Sequence, residues 1–385
     1  MSEVGFMTMG DARGEGDVQP IGIGMLGYAF MGKAHAHAYR TIAYLTWPPP
    51  LVPQLVGIAG RDPEAVGEAA ERYGFEQHVT DWRELVADPR VELFDNAGPN
   101  SLHGEPTIAA AEAGKHVVCE KPLGRDAAEA YEIWQRVEAA GVKHMCAFNY
   151  RFVPAVRLAR ELIEAGDLGD IFHFRAAYLQ DWGASESAAW RFDKSVAGSG
   201  ALGDLGAHVV DLARYLVGVF SDVSARVTTV WPGREGDVAV EAAGAFVRGA
   251  VGTIEATRFA TGHRNAFRWE VNGSKGSIAF DMERLNELQV HLGGTTPGAR
   301  AQGFRTVLVS EAGHPFWEHW WPPGHIIGWG DTFVHELHHL LSAIRDDGDV
   351  APHGATFEDG YRAAEICDAM LRSSESGARE TIRLR

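Results

Sequence analysis

The chain has 385 residues, 45% of them hydrophobic and 23% charged, which excludes a mostly disordered polypeptide and leaves apolar material for two domains. Its 35 basic and 52 acidic residues give a formal charge of −17, which disfavours both a nucleic-acid partner, which wants a basic stripe, and an anionic membrane surface. No run of about 18 apolar residues is present, and the glycines, about 12% against a usual ~7%, follow no three-residue period of the collagen kind.

Residues 1–19 are polar and rich in Gly and Asp, without the apolar segment of a signal peptide; a disordered lead is expected there. From Pro20 onward, short apolar runs alternate with helical patterns. Strands are predicted at Ile21–Leu26, Gln54–Ala59, Val91–Ala97, His116–Cys119 and Lys143–Phe148. Between them fall helices at Phe30–Ala43, Pro63–Tyr73, Ser101–Ala113 (capped by Ser101) and Arg125–Ala140, the last two closed by Gly114 and Gly141. This alternation predicts an α/β, doubly wound parallel sheet over residues 20–148. After Asn149 a helix (Pro154–Ala165), a strand (Ile171–Leu179) and a helix (Leu202–Val217) lead into strand-like runs at Ser224–Val230, Glu241–Val247, Ala250–Ala256, Phe267–Val271 and Gly276–Phe280. Their adjacency predicts an antiparallel sheet in a second domain, residues 149–385, with helices at Asp331–Ile344 and Phe357–Ser373. Three widely spaced cysteines, two of them in apolar runs, read as buried free thiols in a reducing cytoplasm.

The first strand and helix are joined by Gly27-x-Ala29-x-x-Gly32. Gly27 permits a tight turn, a small residue at 29 lets a pyrophosphate approach, and Gly32 lets helix pack on strand. With Phe30 and Met31 at the helix start, these are candidate cofactor contacts; a Gly-rich turn without a ligand is the plain alternative. At the end of the second strand Gly60 stands where an acid would bond the ribose 2′-OH of NAD. Arg61 can grip a 2′-phosphate or stack on adenine, which leans towards NADP, while Asp62 can turn back to the ribose.

Three further motifs follow: Gly98-Pro99-Asn100-Ser101-Leu102-His103, Cys119-Glu120-Lys121-Pro122, and Gly200-Ala201-Leu202-Gly203-Asp204-Leu205-Gly206-Ala207-His208. In this order the segments resemble the Gfo/Idh/MocA oxidoreductases. The resemblance implies an N-terminal Rossmann domain and a C-terminal open, mainly antiparallel sheet that often forms the interface of a homo-oligomer. It also implies NAD(P)-dependent oxidation or reduction of a sugar or cyclic polyol. The family's catalytic lysine falls on Lys121, and its Asp and His on Asp204 and His208. Pro99, Asn100, His103, Glu120 and Asn149 are placed beside the cofactor, and Tyr150 or Arg151 towards substrate.

The chemistry is coherent on its own terms. Oxidising a secondary alcohol needs a hydride acceptor and a base for the hydroxyl proton. Asp204 and His208, four apart on one helix, can share a face; His208 suits a base, and Asp204 or Asp211 can orient it. Lys121 ends a strand, where open α/β sheets place ligands. The plain alternatives are a surface lysine, a satisfied core histidine and a helix N-terminal charge.

Aromatic rings beside hydrogen-bonding groups suit a sugar ring. Asp181, Trp182, Trp190 and His325, in the segments Gln180-Asp181-Trp182, Trp190-Arg191 and Trp320–Trp329, are candidate substrate contacts, although some of these tryptophans can equally be core. Gly27–His35, Gln180-Asp181-Trp182 and Trp321-Pro322-Pro323-Gly324-His325 look most like the levoglucosan dehydrogenase branch, which oxidises C3 of an anhydro- or pyranose sugar and leans towards NAD; an inositol-type dehydrogenase is the runner-up. Two rivals come from other classes. His335-Glu336-Leu337-His338-His339 satisfies H-E-x-x-H, with His335 and His339 as zinc ligands and Glu336 as the base of a peptidase. A non-catalytic cofactor or sugar sensor on the same fold would lack the Lys121/Asp204/His208 relay. No metal is expected on the dehydrogenase reading.

Overall fold

The computed structural model describes residues 18–184, 200–229, 238–293 and 302–383. Its first sheet contains β1 (Pro20–Leu26), β2 (Val52–Ala59), β3 (Gln77–Val79), β4 (Leu93–Asn96), β5 (His116–Glu120) and β6 (His144–Ala147). All pairings are parallel, in the order β3-β2-β1-β4-β5-β6. The order reverses between β1 and β4, which opens a crevice beyond their C-terminal ends. The connecting helices are α1 (Phe30–Leu45), α2 (Pro63–Tyr73), α3 (Trp82–Ala87), α4 (Gly104–Glu112) and α5 (Ala127–Ala140). β3 escapes sequence inspection because it has three residues, none of them buried, and so makes no apolar run. Ser101 does not cap α4 as its position predicts. The chain first makes a 3₁₀ turn at Asn100–Leu102, held by Asn96 Nδ2, which donates to the Leu102 carbonyl (2.8 Å) and the Thr107 hydroxyl (2.9 Å); α4 then starts at Gly104 without a side-chain cap.

The second half begins with α6 (Pro154–Glu164) and builds a nine-stranded sheet from β7 (Ile171–Leu179), β8 (Phe220–Thr228), β9 (Ala239–Phe246), β10 (Val251–Thr257), β11 (Ala266–Gly273), β12 (Gly276–Asp281), β13 (Glu287–Leu292), β14 (Arg305–Leu308) and β15 (Glu380–Thr381). The order is β14-β13-β12-β11-β7-β10-β9-β8-β15. The sheet is mainly antiparallel, as the adjacent runs predict, with one parallel pairing: β7 is inserted between β10 and β11, antiparallel to β11 and parallel to β10. One face buries Phe174, Ala176 and Tyr178 of β7, Ile254 and Ala256 of β10, and Trp269 and Val271 of β11. The face opposite carries Arg175, Thr253, Glu255 and Arg268, all exposed. On the apolar face α6 packs against β12 and β13, α7 (Ala207–Leu216) against β7 and β10, and the last helix, α9 (Phe357–Ser376), against β8.

The helix between them, α8 (Asp331–Arg345), crosses back. Its Phe333, Val334, Leu337, Leu340 and Leu341 share one core with Ile21 and Met25 of β1 and Ala38, Tyr39 and Ile42 of α1. A helix that sequence order assigns to the sheet half therefore completes the first half. Cys119, Cys146 and Cys367 are buried thiols outside any disulfide. Among the described residues no helix is long and apolar enough to cross a membrane.

Candidate active site

The crevice at the β1–α1 turn has the features a pyrophosphate requires. Gly27 has φ +102°, and a Cβ there would lie 2.4 Å from the Ala97 carbonyl oxygen. At Gly32 a Cβ would lie 2.2 Å from the Gly27 carbonyl oxygen. Neither clash can be relieved by a side-chain rotation, because both partners are backbone. Exposed Ala29 occupies the N-cap position of α1 and provides no side-chain cap, so the first-turn amides of a 16-residue helix are left for an anion. The residues present thus fit a dinucleotide.

The space that Gly60 leaves at the end of β2 is filled. A Cβ there would meet the Tyr28 ring at 2.2 Å, so Tyr28 covers it. Arg61 is exposed. Asp62 does not turn towards a ribose either: its carboxylate accepts the N–H groups of Glu64 and Ala65, both at 3.1 Å, and caps α2. Phe30, 61% exposed, stacks on Trp329 with ring centroids 5.2 Å apart, linking the cofactor turn to the segment ahead of α8.

Around the lysine the sequence candidates converge. Lys121 Nζ donates to the Asp204 carbonyl and to its Oδ1, both at 3.0 Å. Asp204 Oδ2 is 2.9 Å from an Arg258 guanidinium nitrogen, and that guanidinium lies 4.8 Å over the Trp182 ring. Arg258, 1% exposed, has no sequence signature: it is one basic residue just past β10, with its partner on another element. The run predicted as a single helix divides in two. Leu202–Gly206 is a π-helical turn that carries Asp204, and α7 follows with His208 at its start.

His208 is 5% exposed, its ring centroid 4.3 Å from that of Tyr150, 5.8 Å from Phe148 and 6.2 Å from Tyr178. Its Nδ1 is buried without a hydrogen-bond partner. Burial, reinforced by the charge of Lys121 and opposed by Asp204, holds the imidazole well below its ordinary pKa. Tyr150 and Tyr178 hydroxyls are 2.6 Å apart; Tyr178 and Gln180 both donate to Asn265 Oδ1 at 2.7 Å, and Trp182 donates to Gln180. A continuous polar line therefore runs from Tyr150 to Trp182 beside the Lys121 cluster.

Other candidates are committed elsewhere. Asp211 does not hold His208. It accepts two bonds from Arg151, at 2.9 and 2.5 Å, while Arg151 also meets Asp359 at 3.3 Å. Arg151 is 2% exposed and taken up by these two carboxylates. Fully buried His103 places Nδ1 2.7 Å from the Pro122 carbonyl and Nε2 3.1 Å from the Gly98 carbonyl, tying the Pro99–Asn100 loop to the Lys121 loop from beneath. Pro99 is exposed and Asn100 half-buried at the crevice. Asn149 donates to the Thr332 hydroxyl at 2.9 Å, and Glu120 is buried with its Oε1 3.1 Å from His35 Nε2. Asp181 accepts from Gly262 N (3.2 Å) and Arg264 (3.0 Å), and exposed His325 turns back to the Pro322 carbonyl at 2.9 Å. Trp190 lies outside the described residues.

The zinc motif does not assemble. His335 Nδ1 bonds the Phe152 carbonyl at 2.9 Å, and its Nε2 accepts from the Trp320 indole at 2.6 Å; His339 Nε2 bonds the Val350 carbonyl at 2.8 Å. Glu336 points into the first-half core. Burial holds His335 down to about 3, a neutral ring that braces a loop. Among the described residues no three His, Cys, Asp or Glu side chains converge on a metal position.

A phosphate-ready turn facing a Lys/Asp/His cluster defines a dinucleotide-dependent oxidoreductase. Residues 21–148 match an oxidoreductase family with an NAD-binding Rossmann fold, and residues 156–279 match the Gfo/Idh/MocA C-terminal domain. The chain belongs to the Gfo/Idh/MocA oxidoreductase family, whose cofactor is NAD or NADP. It is similar to levoglucosan dehydrogenase of Pseudarthrobacter phenanthrenivorans, 44% identical over 94% of this chain and 98% of that one. It is also 30% identical to myo-inositol 2-dehydrogenase of Thermotoga maritima, over 68% of this chain and 75% of the other. Among solved structures, levoglucosan dehydrogenase in complex with NADH and levoglucosan matches with a TM-score of 0.91 at 44% identity, covering 95% of this chain and all of that one.

Proposed function

We propose that the chain is an NAD-dependent dehydrogenase of an anhydro- or pyranose sugar of the levoglucosan type, oxidising a ring hydroxyl at C3. The observation that carries this is the Lys121–Asp204–Arg258 cluster set beside a buried, unprotonated His208. Bound NAD would supply the hydride acceptor. The protein's own groups supply the rest. Two of the three Lys121 N–H donors are used on Asp204, which leaves one for the reacting oxygen. Neutral His208 can take the hydroxyl proton at Nε2, since its Nδ1 is enclosed. The line of hydroxyl, amide and indole groups from Tyr150 to Trp182 suits the remaining hydroxyls of a sugar. Similarity to the NADH complex favours NAD over NADP, against the lean from Arg61. Three buried thiols outside any disulfide fit a cytoplasmic setting.

The test is turnover, followed by reduced-nicotinamide absorbance. Levoglucosan and related pyranoses with NAD are expected to give kcat/KM at least 10-fold above myo- and scyllo-inositol, and above the same sugars with NADP, a margin of about 1.4 kcal/mol. Reversal by an inositol would replace the substrate reading. Binding of NAD and NADP without turnover on any sugar or polyol would favour the sensor.

We also infer that the polar outer face of the nine-stranded sheet joins copies of the chain. Sedimentation of wild type is expected to give a multiple of the chain mass. A monomer at micromolar concentration would exclude this.

A further inference from the structure

Beneath Lys121 lies a buried polar network that the sequence does not announce. His35 sits on α1, three residues past Gly32. Its Nδ1 is 2.9 and 2.8 Å from the two carboxylate oxygens of Asp95 on β4, and its Nε2 is 3.1 Å from Glu120 Oε1 at the end of β5. Tyr39, one turn further along α1, donates its hydroxyl to Asp95 Oδ2 at 2.9 Å. The second oxygen of Glu120, Oε2, accepts the backbone N–H of Lys121 at 3.0 Å. His35 and Asp95 are fully buried, and Glu120 is 3% exposed.

Burial by itself would lower the His35 pKa, but Asp95 first and then Glu120 outweigh it and hold the imidazole well above its ordinary value. The ring can thus donate from both nitrogens, which a neutral histidine cannot do. Glu336 of α8 faces the same cluster with both carboxyl oxygens buried and unpartnered, and burial pushes its carboxyl well above the ordinary range. The Phe333 ring, 5.3 Å from His35, closes the other side. Burying ionised groups is expensive, and a packed apolar core of the same volume is often at least as stable. Stability is therefore a poor account of why these groups are here. The network joins two parts of the site. One end is the helix that carries the cofactor turn; the other is the peptide that carries the lysine.

We propose that His35 is a positioning residue for the oxidoreductase reaction: by bridging Asp95 and Glu120 it fixes the Glu120–Lys121 peptide, and so aims the Lys121 amine at Asp204 and the reacting oxygen while keeping it in register with the cofactor turn. This rests on the assignment of Lys121 to the chemistry. An error of about 1 Å in such a group costs on the order of 100-fold in rate.

The test uses the full-length enzyme with NAD and its best sugar substrate. His35→Asn and Glu120→Gln are each expected to lower kcat about 10-fold or more, with NADH affinity and sugar KM within about threefold of wild type. His35→Gln, which can still donate to one carboxylate, is expected to recover part of kcat. A purely structural role would lower thermal stability and NADH affinity together and would show no such split. Lys121→Met is run alongside. If His35→Asn and Glu120→Gln fold and turn over like wild type while Lys121→Met is inactive, His35 is not a positioning residue and the site assignment stands. If Lys121→Met keeps full turnover, the assignment of Lys121 fails. If His35→Asn is insoluble, Glu120→Gln decides alone: unchanged kcat overturns the proposal, and a lowered kcat with normal NADH affinity supports it.

Discussion

Lys121→Met is expected to lower kcat for sugar oxidation by about 10² to 10⁴-fold, with NADH affinity within about threefold of wild type. Methionine keeps an unbranched stem of similar reach, so packing around the turn is largely preserved. What goes are the N–H donors: two that hold Asp204 and, in the proposed mechanism, one for the substrate oxygen, which gains alkoxide character as its proton leaves. A donor set already aimed at that oxygen stabilises the transition state more than the bound alcohol, which puts the loss in kcat and little of it in KM. Asp204 would still face buried Arg258, so its carboxylate keeps a counter-charge and the fold should survive. Stopped-flow and steady-state kinetics with NADH titration would check this. A variant with kcat within threefold of wild type would remove Lys121 from the mechanism.

His208→Ala should be of similar size, about 10²-fold or more in kcat. The wild-type pH profile carries a second expectation. Burial, with the charge of Lys121, lowers the His208 pKa, and Asp204 offsets this only in part. The free-base imidazole therefore persists below pH 6.5. The acid limb of kcat/KM should have its midpoint well under the ~6.5 of an ordinary histidine. An acid limb at or above 6.5 would mean either that another group is the base or that the cavity around His208 is wetter than its 5% exposure indicates.

Much of this was legible in residue order, for reasons that can be named. Parallel strands buried on both faces read as apolar runs, and the helices between them carry their own stops, as at Gly141 after α5. Lys121, Asp204 and His208 lie in dense local motifs. What resisted was whatever depends on a partner far along the chain. Nothing near Arg258 shows that Asp204 will meet it. Nothing near Arg151 or Asp211 shows that they will take each other and leave His208 alone. His103 reads as a cofactor contact but is consumed by two backbone carbonyls. The insertion of β7 beside β10 is likewise a long-range pairing that no turn signal marks. H-E-x-x-H fails although its two histidines, four apart, share a face of α8, because each ring is already taken by a distant backbone carbonyl, that of Phe152 or Val350. Its histidines reach loops while Glu336 enters the core under His35.

The return of α8 to α1 sets a limit on modularity. Val334, Leu337 and Leu341 cover a surface of α1 that includes Ala38 and Ile42, and Trp329 just ahead of them stacks on Phe30 at the cofactor turn. The nucleotide-holding half is therefore not a portable unit. Cut at residue 148, it would present that apolar face to water and lose the ring that lies against its Gly-rich turn. Grafting this half onto another substrate domain would mean transplanting a discontinuous piece of chain, with 331–345 carried along as if it were a sixth helix of the first half.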